Sequence, residues 1–237
     1  MFIGHFGVAL AAKKVAPRAS LGTLVMAAQF VDLLWPLFLL LGWERVLIAP
    51  GTTVVTPLDF IFYPLSHSLL ADIGWACLFA GIYRVVKGDA RTAAWLWFVL
   101  MSHWLLDALS HRPDLPLYPG SSIYVGLGLW NSRLGTILVE TAIFAFGARI
   151  YAKTTRPRDP FGVLALRLFI ALLLLIYFLN LFGPPPPSVK AIAWGGLSLW
   201  LLVVMAYWLD RHRLVGLPPP FHPPIALGPI PEEPPAE

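Results

Sequence analysis

Apolar residues run along this chain in blocks of roughly twenty, separated by short basic or Pro/Gly-rich segments. A helix of that length, at about 1.5 Å per residue, matches the hydrocarbon thickness of a bilayer. Six blocks stand out: Ser20–Gly42, His67–Val86, Ala90–Ser110, Leu134–Tyr151, Val163–Phe182 and Ala191–Leu209. Ahead of them lies "MFIGHFGVALAA", whose dozen residues reach only about 18 Å as a helix. Its only strongly polar residue before Lys13 is His5, which favours a half-helix or re-entrant segment buried in protein over an interfacial helix. The pattern predicts an all-α polytopic membrane protein, with about six transmembrane helices plus a short N-terminal half-helix, as one domain over residues 1–215. The remainder, 216–237, is Pro-rich, carries almost no charge until Glu232, and is expected as a disordered cytoplasmic tail. Two connections are long, about 43–66 and 111–133. The second is rich in Gly, Pro and aromatics and reads equally as a lid over a site or a plain connector.

Composition agrees: 58% of residues are hydrophobic and 13% charged, which excludes an ordinary soluble domain. The net charge of +4 is then no nucleic-acid footprint, and nucleic acid is not an expected partner. It reflects sorting across a membrane. Lys13, Lys14, Arg18, Arg84, Lys87, Arg91, Arg149, Lys153, Arg156, Arg158, Arg211 and Arg213 fall on one face of the six-span arrangement. Arg45, Arg112, Arg133 and Lys190 fall on the other, and Arg167 lies within a span. By the positive-inside rule both termini are expected in the cytoplasm. The early charges follow the first apolar run, unlike those of a cleavable signal. A single cysteine, Cys77, excludes an intrachain disulfide.

The spans nevertheless contain Gln29, Asp32, Asp72, His103, Asp107 and Glu140, and His67 opens one of them. A carboxylate at mid-bilayer costs about 2.5–3.5 kcal/mol, so four cost at most roughly 10–14 kcal/mol. That upper bound is comparable with the whole stability of a domain, about 5–15 kcal/mol. Protonation, a cation or a wet cavity must offset it. Asp32 lies twelve residues past Ser20, and His103 twelve past Arg91, so both sit about 18 Å from the basic face. Glu140 falls in the same broad layer, His5 about 12 Å in, and His67 at the outer side.

His103 and Asp107 are spaced i,i+4 and share one helix face. His111 continues that stripe, although Pro113 disfavours helix at Arg112. Neutral imidazole with carboxylate suits a divalent metal, zinc among them. Each residue also has a plainer reading. His103 and Asp107 could bond only each other; Asp32 could serve packing beside Gln29; His67 could follow a Ser66 N-cap; Glu140 could partner an arginine. Asp72 lies about 140° round the helix from His67 and shares no face with it.

Four short motifs occur in order: "GHFGVALAAKK", "FVDLLWP", "SHSLL" and "SHWLLD". Over about the first 110 residues they resemble the bacterial inner-membrane metal-dependent hydrolases, also described as LexA-binding membrane-associated proteins. The resemblance implies His5, Asp32, His67, His103 and Asp107 as metal ligands and a location in the bacterial inner membrane. One departure stands out. The family's Pro-Asp-x-Asp-like motif has Val31 before Asp32 here, and Leu34 at the second acidic position. The leading expectation is a membrane-embedded metal-dependent hydrolase acting on a lipid or lipid-linked ester or phosphoester. Glu140 or a spare Asp would be its general base, and Arg112 or Arg133 would hold a phosphate. A proton- or cation-coupled transporter and a non-catalytic membrane scaffold are the alternatives.

Overall fold

The described part of the chain, residues 1–216 of a computed structural model, consists of helices joined by three two-stranded antiparallel ribbons. The expected Pro-rich tail, apart from Gly216, lies outside the described residues. The helices are α1 (Ile3–Ala12), α2 (Leu21–Ala28), α3 (Phe30–Leu40), α4 (Pro64–His67), α5 (Leu69–Lys87), α6 (Ala90–Ser110), α7 (Arg133–Thr154), α8 (Pro160–Phe182), α9 (Val189–Leu197) and α10 (Leu199–Arg211). The ribbons pair β1 (Arg45–Ile48) with β2 (Leu58–Phe62), β3 (Leu115–Pro116) with β4 (Tyr124–Val125), and β5 (Thr155–Pro157) with β6 (Arg213–Val215).

Helix starts follow local chemistry. Ser20, Ser68, Asp89, Ser132, Asp159 and Ser188 each accept a backbone N–H of the first turn, satisfying a donor the helix cannot use. Gly88, at φ 68°, closes α5 in the left-handed geometry that only glycine adopts without strain.

Five stretches are long and apolar enough to cross a bilayer: α5, α6, α7, α8, and α9–α10 taken together as Val189–Arg211. The other expected span, Ser20–Gly42, is not one straight helix. It is α2 and α3, bent by 56° where Gln29 leaves helical geometry. The expected span His67–Val86 is corrected too. The long helix begins at Leu69 with Ser68 as its N-cap, while His67 ends the separate one-turn α4, entered through Pro64.

The N-terminal half-helix forms as expected. α1 is almost wholly buried, with His5 0% exposed, so its imidazole faces protein. It lies directly on α7. A Cβ built on Gly7 would stand 2.7 Å from the Ile143 carbonyl oxygen, and one on Gly147 would collide with Gly7 itself. Two small residues thus let the backbones touch, the packing mode of helices that gain nothing from hiding apolar surface in lipid.

Basic residues gather at one end. Lys13 Nζ pairs with Asp210 at 2.8 Å, Arg18 with Asp89 at 3.4 Å, and β5–β6 joins Arg156 to the segment holding Arg213. The ribbons β1–β2 and β3–β4 belong to the two long connections of the other side. Outward positions such as Leu78, Ile82, Leu164, Leu168, Leu201 and Val204 are exposed, an apolar surface far larger than soluble monomers tolerate.

Candidate metal centre

The break at Gln29 has a chemical consequence. A helix C-terminus leaves its last carbonyls without intrahelical donors. At the end of α2 the Ala28 carbonyl is taken by His103 of α6, whose Nδ1–H donates to it at 2.7 Å. A carbonyl oxygen only accepts, so the proton of neutral His103 is on Nδ1 and the lone pair is on Nε2. Immediately past the break, the first turn of α3 presents Asp32. Its Oδ2 lies 3.8 Å from His103 Nε2.

His67 is oriented by a longer relay. Ser66, released from helix capping, gives its hydroxyl proton to Glu44 Oε2 at 2.7 Å. Its oxygen therefore accepts from His67 Nδ1–H, also at 2.7 Å. Glu44 Oε1 is fixed by the backbone N–H groups of Leu65 and Ser66, both at 2.8 Å. Burial pushes the Glu44 carboxyl above its ordinary value, against the pull of those donors. Neutral His67 therefore carries its lone pair on Nε2, 3.3 Å from Asp32 Oδ1 and 3.8 Å from Asp107 Oδ2.

Asp107 is the hub. Its Oδ2 lies 3.1 Å from His103 Nε2, the i,i+4 pair read from the sequence. Its Oδ1 lies 3.1 Å from His5 Nε2 and 2.6 Å from the α-amino group of Met1. The His5 and His103 rings stack with centroids 3.8 Å apart and planes within 3°. His111, just past the end of α6, completes the stripe: its Nε2 is 4.0 Å from Asp107 Oδ2, and its Nδ1–H donates to Asp114 at 2.9 Å. Burial pushes His111 below the ordinary imidazole value, against the pull of Asp114 and Asp107.

Asp32, His67, His103 and Asp107 thus meet as His–Asp pairs at 3.1–3.8 Å, with His5 on the far oxygen of Asp107, Oδ1, and His111 4.0 Å from its Oδ2. The atoms of His5, His103 and Asp107 lie within 4.8 Å of one another, as do those of Asp32, His67 and His103. Donor atoms about 2.0–2.2 Å from a tetrahedral ion stand roughly 3–4 Å apart, and the His–Asp pairs of the cluster, at 3.1–3.8 Å, match that spacing. Imidazole and carboxylate suit a first-row divalent ion, and each of the three histidines with its Nδ1 bonded has the outer partner that fixes a ligand's tautomer. The residues fit such an ion. A cavity of about 80 Å³, lined by Asp32, His67, Asp107, His111, Trp35, Phe60, Trp130 and Met1, adjoins them and has room for water.

The two long connections roof this cavity, Phe60 from β2 and Trp130 from the 111–133 loop, the latter 4.2 Å from the His111 ring. Other expected residues sit differently. Glu140 Oε2 accepts the backbone N–H groups of Phe2 at 2.8 Å and Gly4 at 3.3 Å, so its carboxylate anchors the start of α1. Arg112 is committed to Asp59 and Asp114 and does not line this cavity. Asp72 is fully buried, and neither carboxylate oxygen has a hydrogen-bond partner among the described residues.

Sequence reasoning missed Glu44, Ser66 and Tyr63, whose hydroxyl donates to Asp114 at 2.9 Å. Nothing local marks them. His111 carried a signal in its i,i+4 step from Asp107, and only the helix end at Pro113 argued against it. No protein-family model matches the chain, and neither a curated protein nor a solved structure is similar to it.

Proposed function

We propose that this chain is a membrane-embedded, metal-dependent hydrolase. The observation that carries the reading is the meeting of lone pairs. His67 and His103 each spend Nδ1–H elsewhere, and both Nε2 atoms then face the carboxylates of Asp32 and Asp107 at 3.1–3.8 Å. Acceptors facing acceptors need a proton or a metal cation between them, and two imidazoles meeting two carboxylates suit a divalent ion. The order of the four motifs, which resembles that of the inner-membrane hydrolases, supports the same reading, although the second acidic position is Leu34.

Asp32, His67, His103 and Asp107 would hold the ion, with zinc the best match to the donor set. A bound divalent ion lowers the pKa of its water and polarises an ester or phosphoryl oxygen. The chain supplies the rest. Glu44 and Ser66 fix the His67 tautomer, Ala28 fixes that of His103, and Phe60 and Trp130 restrict bulk water. Glu140 positions α1, and through it His5, rather than serving as the base. Elemental analysis of detergent-purified protein is expected to find stoichiometric first-row metal. Chelation is expected to abolish hydrolysis of bis(p-nitrophenyl) phosphate, and zinc to restore it. Protein that neither contains metal nor binds it on titration would reduce the cluster to buried ion pairs sharing protons.

The sorting of basic residues supports a topology with both termini in the cytoplasm and the His/Asp cluster toward the opposite side. In a Cys77→Ser background, a cysteine at the exposed Ser122 is expected to react with an impermeant maleimide on intact spheroplasts. One at Lys153 should react only after permeabilisation. The reverse pattern would invert the protein.

A further inference from the structure

The polar cavity shares Met1, Asp32, Trp35, Phe60 and Trp130 with a much larger cleft of about 930 Å³ that runs between α8 and α9–α10. Away from the carboxylates its walls are apolar, with Leu172 and Ile176 on one side and Leu202 and Met205 on the other. The size is near the upper end for small-molecule sites, about 300–1,000 Å³. Glycines shape it. A Cβ at Gly196 would come within 2.5 Å of Pro36 Cγ, so α9 rests on α3 at that level. A Cβ at neighbouring Gly195, also on the lining, would meet nothing within 4 Å.

Two polar groups on the lining ask for an anion. Trp35 is only 9% exposed, and its Nε1–H has no acceptor among the described residues, although a buried indole normally finds one. Arg133 lies over the Phe182 ring at 5.4 Å and donates from Nη2 to the Val54 carbonyl at 3.1 Å, which leaves other donors of its fork for a ligand. A ligand that satisfies both the walls and these donors is an amphiphile with an anionic head.

We propose that this cleft seats one membrane lipid with a phosphate-ester headgroup. Its chains lie between α8 and α9–α10, and its phosphate turns toward Trp35, Arg133 and the His/Asp cluster. As a substrate assignment this rests on the hydrolase reading; as a binding site it stands on the cleft alone. Apolar chains gain by leaving no void between the helices, and the phosphate supplies an acceptor for Trp35 Nε1–H and for the Arg133 donors not spent on Val54.

The test uses full-length protein in phosphatidylcholine nanodiscs doped with phosphatidic acid bearing a diazirine near the end of one acyl chain. Cross-links mapped by mass spectrometry are expected to concentrate on Leu172, Ile176, Leu202 and Met205. Gly195→Trp, which fills open space, should cut that labelling roughly tenfold while metal content stays unchanged, the scale of obstructing an apolar pocket. Leu172→Trp, from the opposite wall, should do the same if the first variant folds poorly. Trp35→Phe should erase the preference for phosphatidic acid over a matching diazirine diacylglycerol. Labelling spread evenly over outward positions such as Leu164 and Val204, and indifferent to both tryptophans, overturns the seat. Equal cleft labelling of wild-type protein by the diacylglycerol overturns the phosphate. Cleft labelling in a protein that binds no metal upholds the lipid seat and removes only the hydrolase reading.

Discussion

His103→Ala protein is expected to reach the membrane, purify as a single species and carry almost no metal. His103 belongs to both groups of donors that converge on the cluster, so no alternative set remains complete without it. The loss of affinity should exceed the ~10–100-fold typical of removing a residue that only supports a ligand. Activity should fall with metal occupancy, step for step. The fold should survive because the deleted ring removes one hydrogen bond, to Ala28, and its stacking on His5, while the apolar faces of α6 stay intact. His212→Ala is the control. Its imidazole pairs with Asp159 at the basic end, so metal content should match wild type. Elemental analysis paired with circular dichroism and gel filtration reads both quantities. Wild-type metal in His103→Ala would falsify the centre, and failure to insert would make the histidine a packing residue.

Glu44→Gln, a change of one atom outside the cluster, should weaken metal binding by about 10–100-fold. The reason is directional. Glu44 Oε2 accepts the Ser66 hydroxyl proton, which obliges Ser66 Oγ to accept from His67 Nδ1–H and leaves the lone pair on Nε2. An amide can keep Oε1 on the backbone N–H groups of Leu65 and Ser66, but then turns NH₂ toward Ser66. The serine proton would be driven toward His67 Nδ1, and the imidazole proton would move to Nε2, where it blocks coordination. Ser66→Ala merely removes the acceptor and should cost less than Glu44→Gln. A purely steric role for Glu44 would give the opposite order, since glutamine fills the same space. Competition against a fluorescent chelator in detergent measures the three dissociation constants, and an unchanged value for Glu44→Gln removes the relay.

The candidate chemistry was legible in the sequence to the extent that it was costly. Carboxylates and imidazoles in apolar blocks stand out because a bilayer penalises them, and depth along each helix follows from a fixed rise per residue. His103 and Asp107 could be paired outright, because i,i+4 spacing puts them on one face without knowledge of any other helix. Asp32 and His67 could be placed only at compatible depth. Rotation about a helix axis decides whether such residues meet, and that rotation is set by partners far away in sequence.

The sequence by itself determined the helical class, the apolar blocks, the separation of basic residues to one end and the burial of the His5 helix. All of these are matters of hydropathy, charge and length, which each segment carries locally. Tertiary structure alone decided the rest. The 56° bend at Gln29 delivers the Ala28 carbonyl to His103 and Asp32 to the cluster. The placement of Glu44 against Ser66 selects the His67 tautomer. The backbone N–H groups of Phe2 and Gly4 tie the Glu140 carboxylate to the start of α1. Each depends on where one hydrogen-bond partner lies in space, and a chain's local pattern holds no record of that distance.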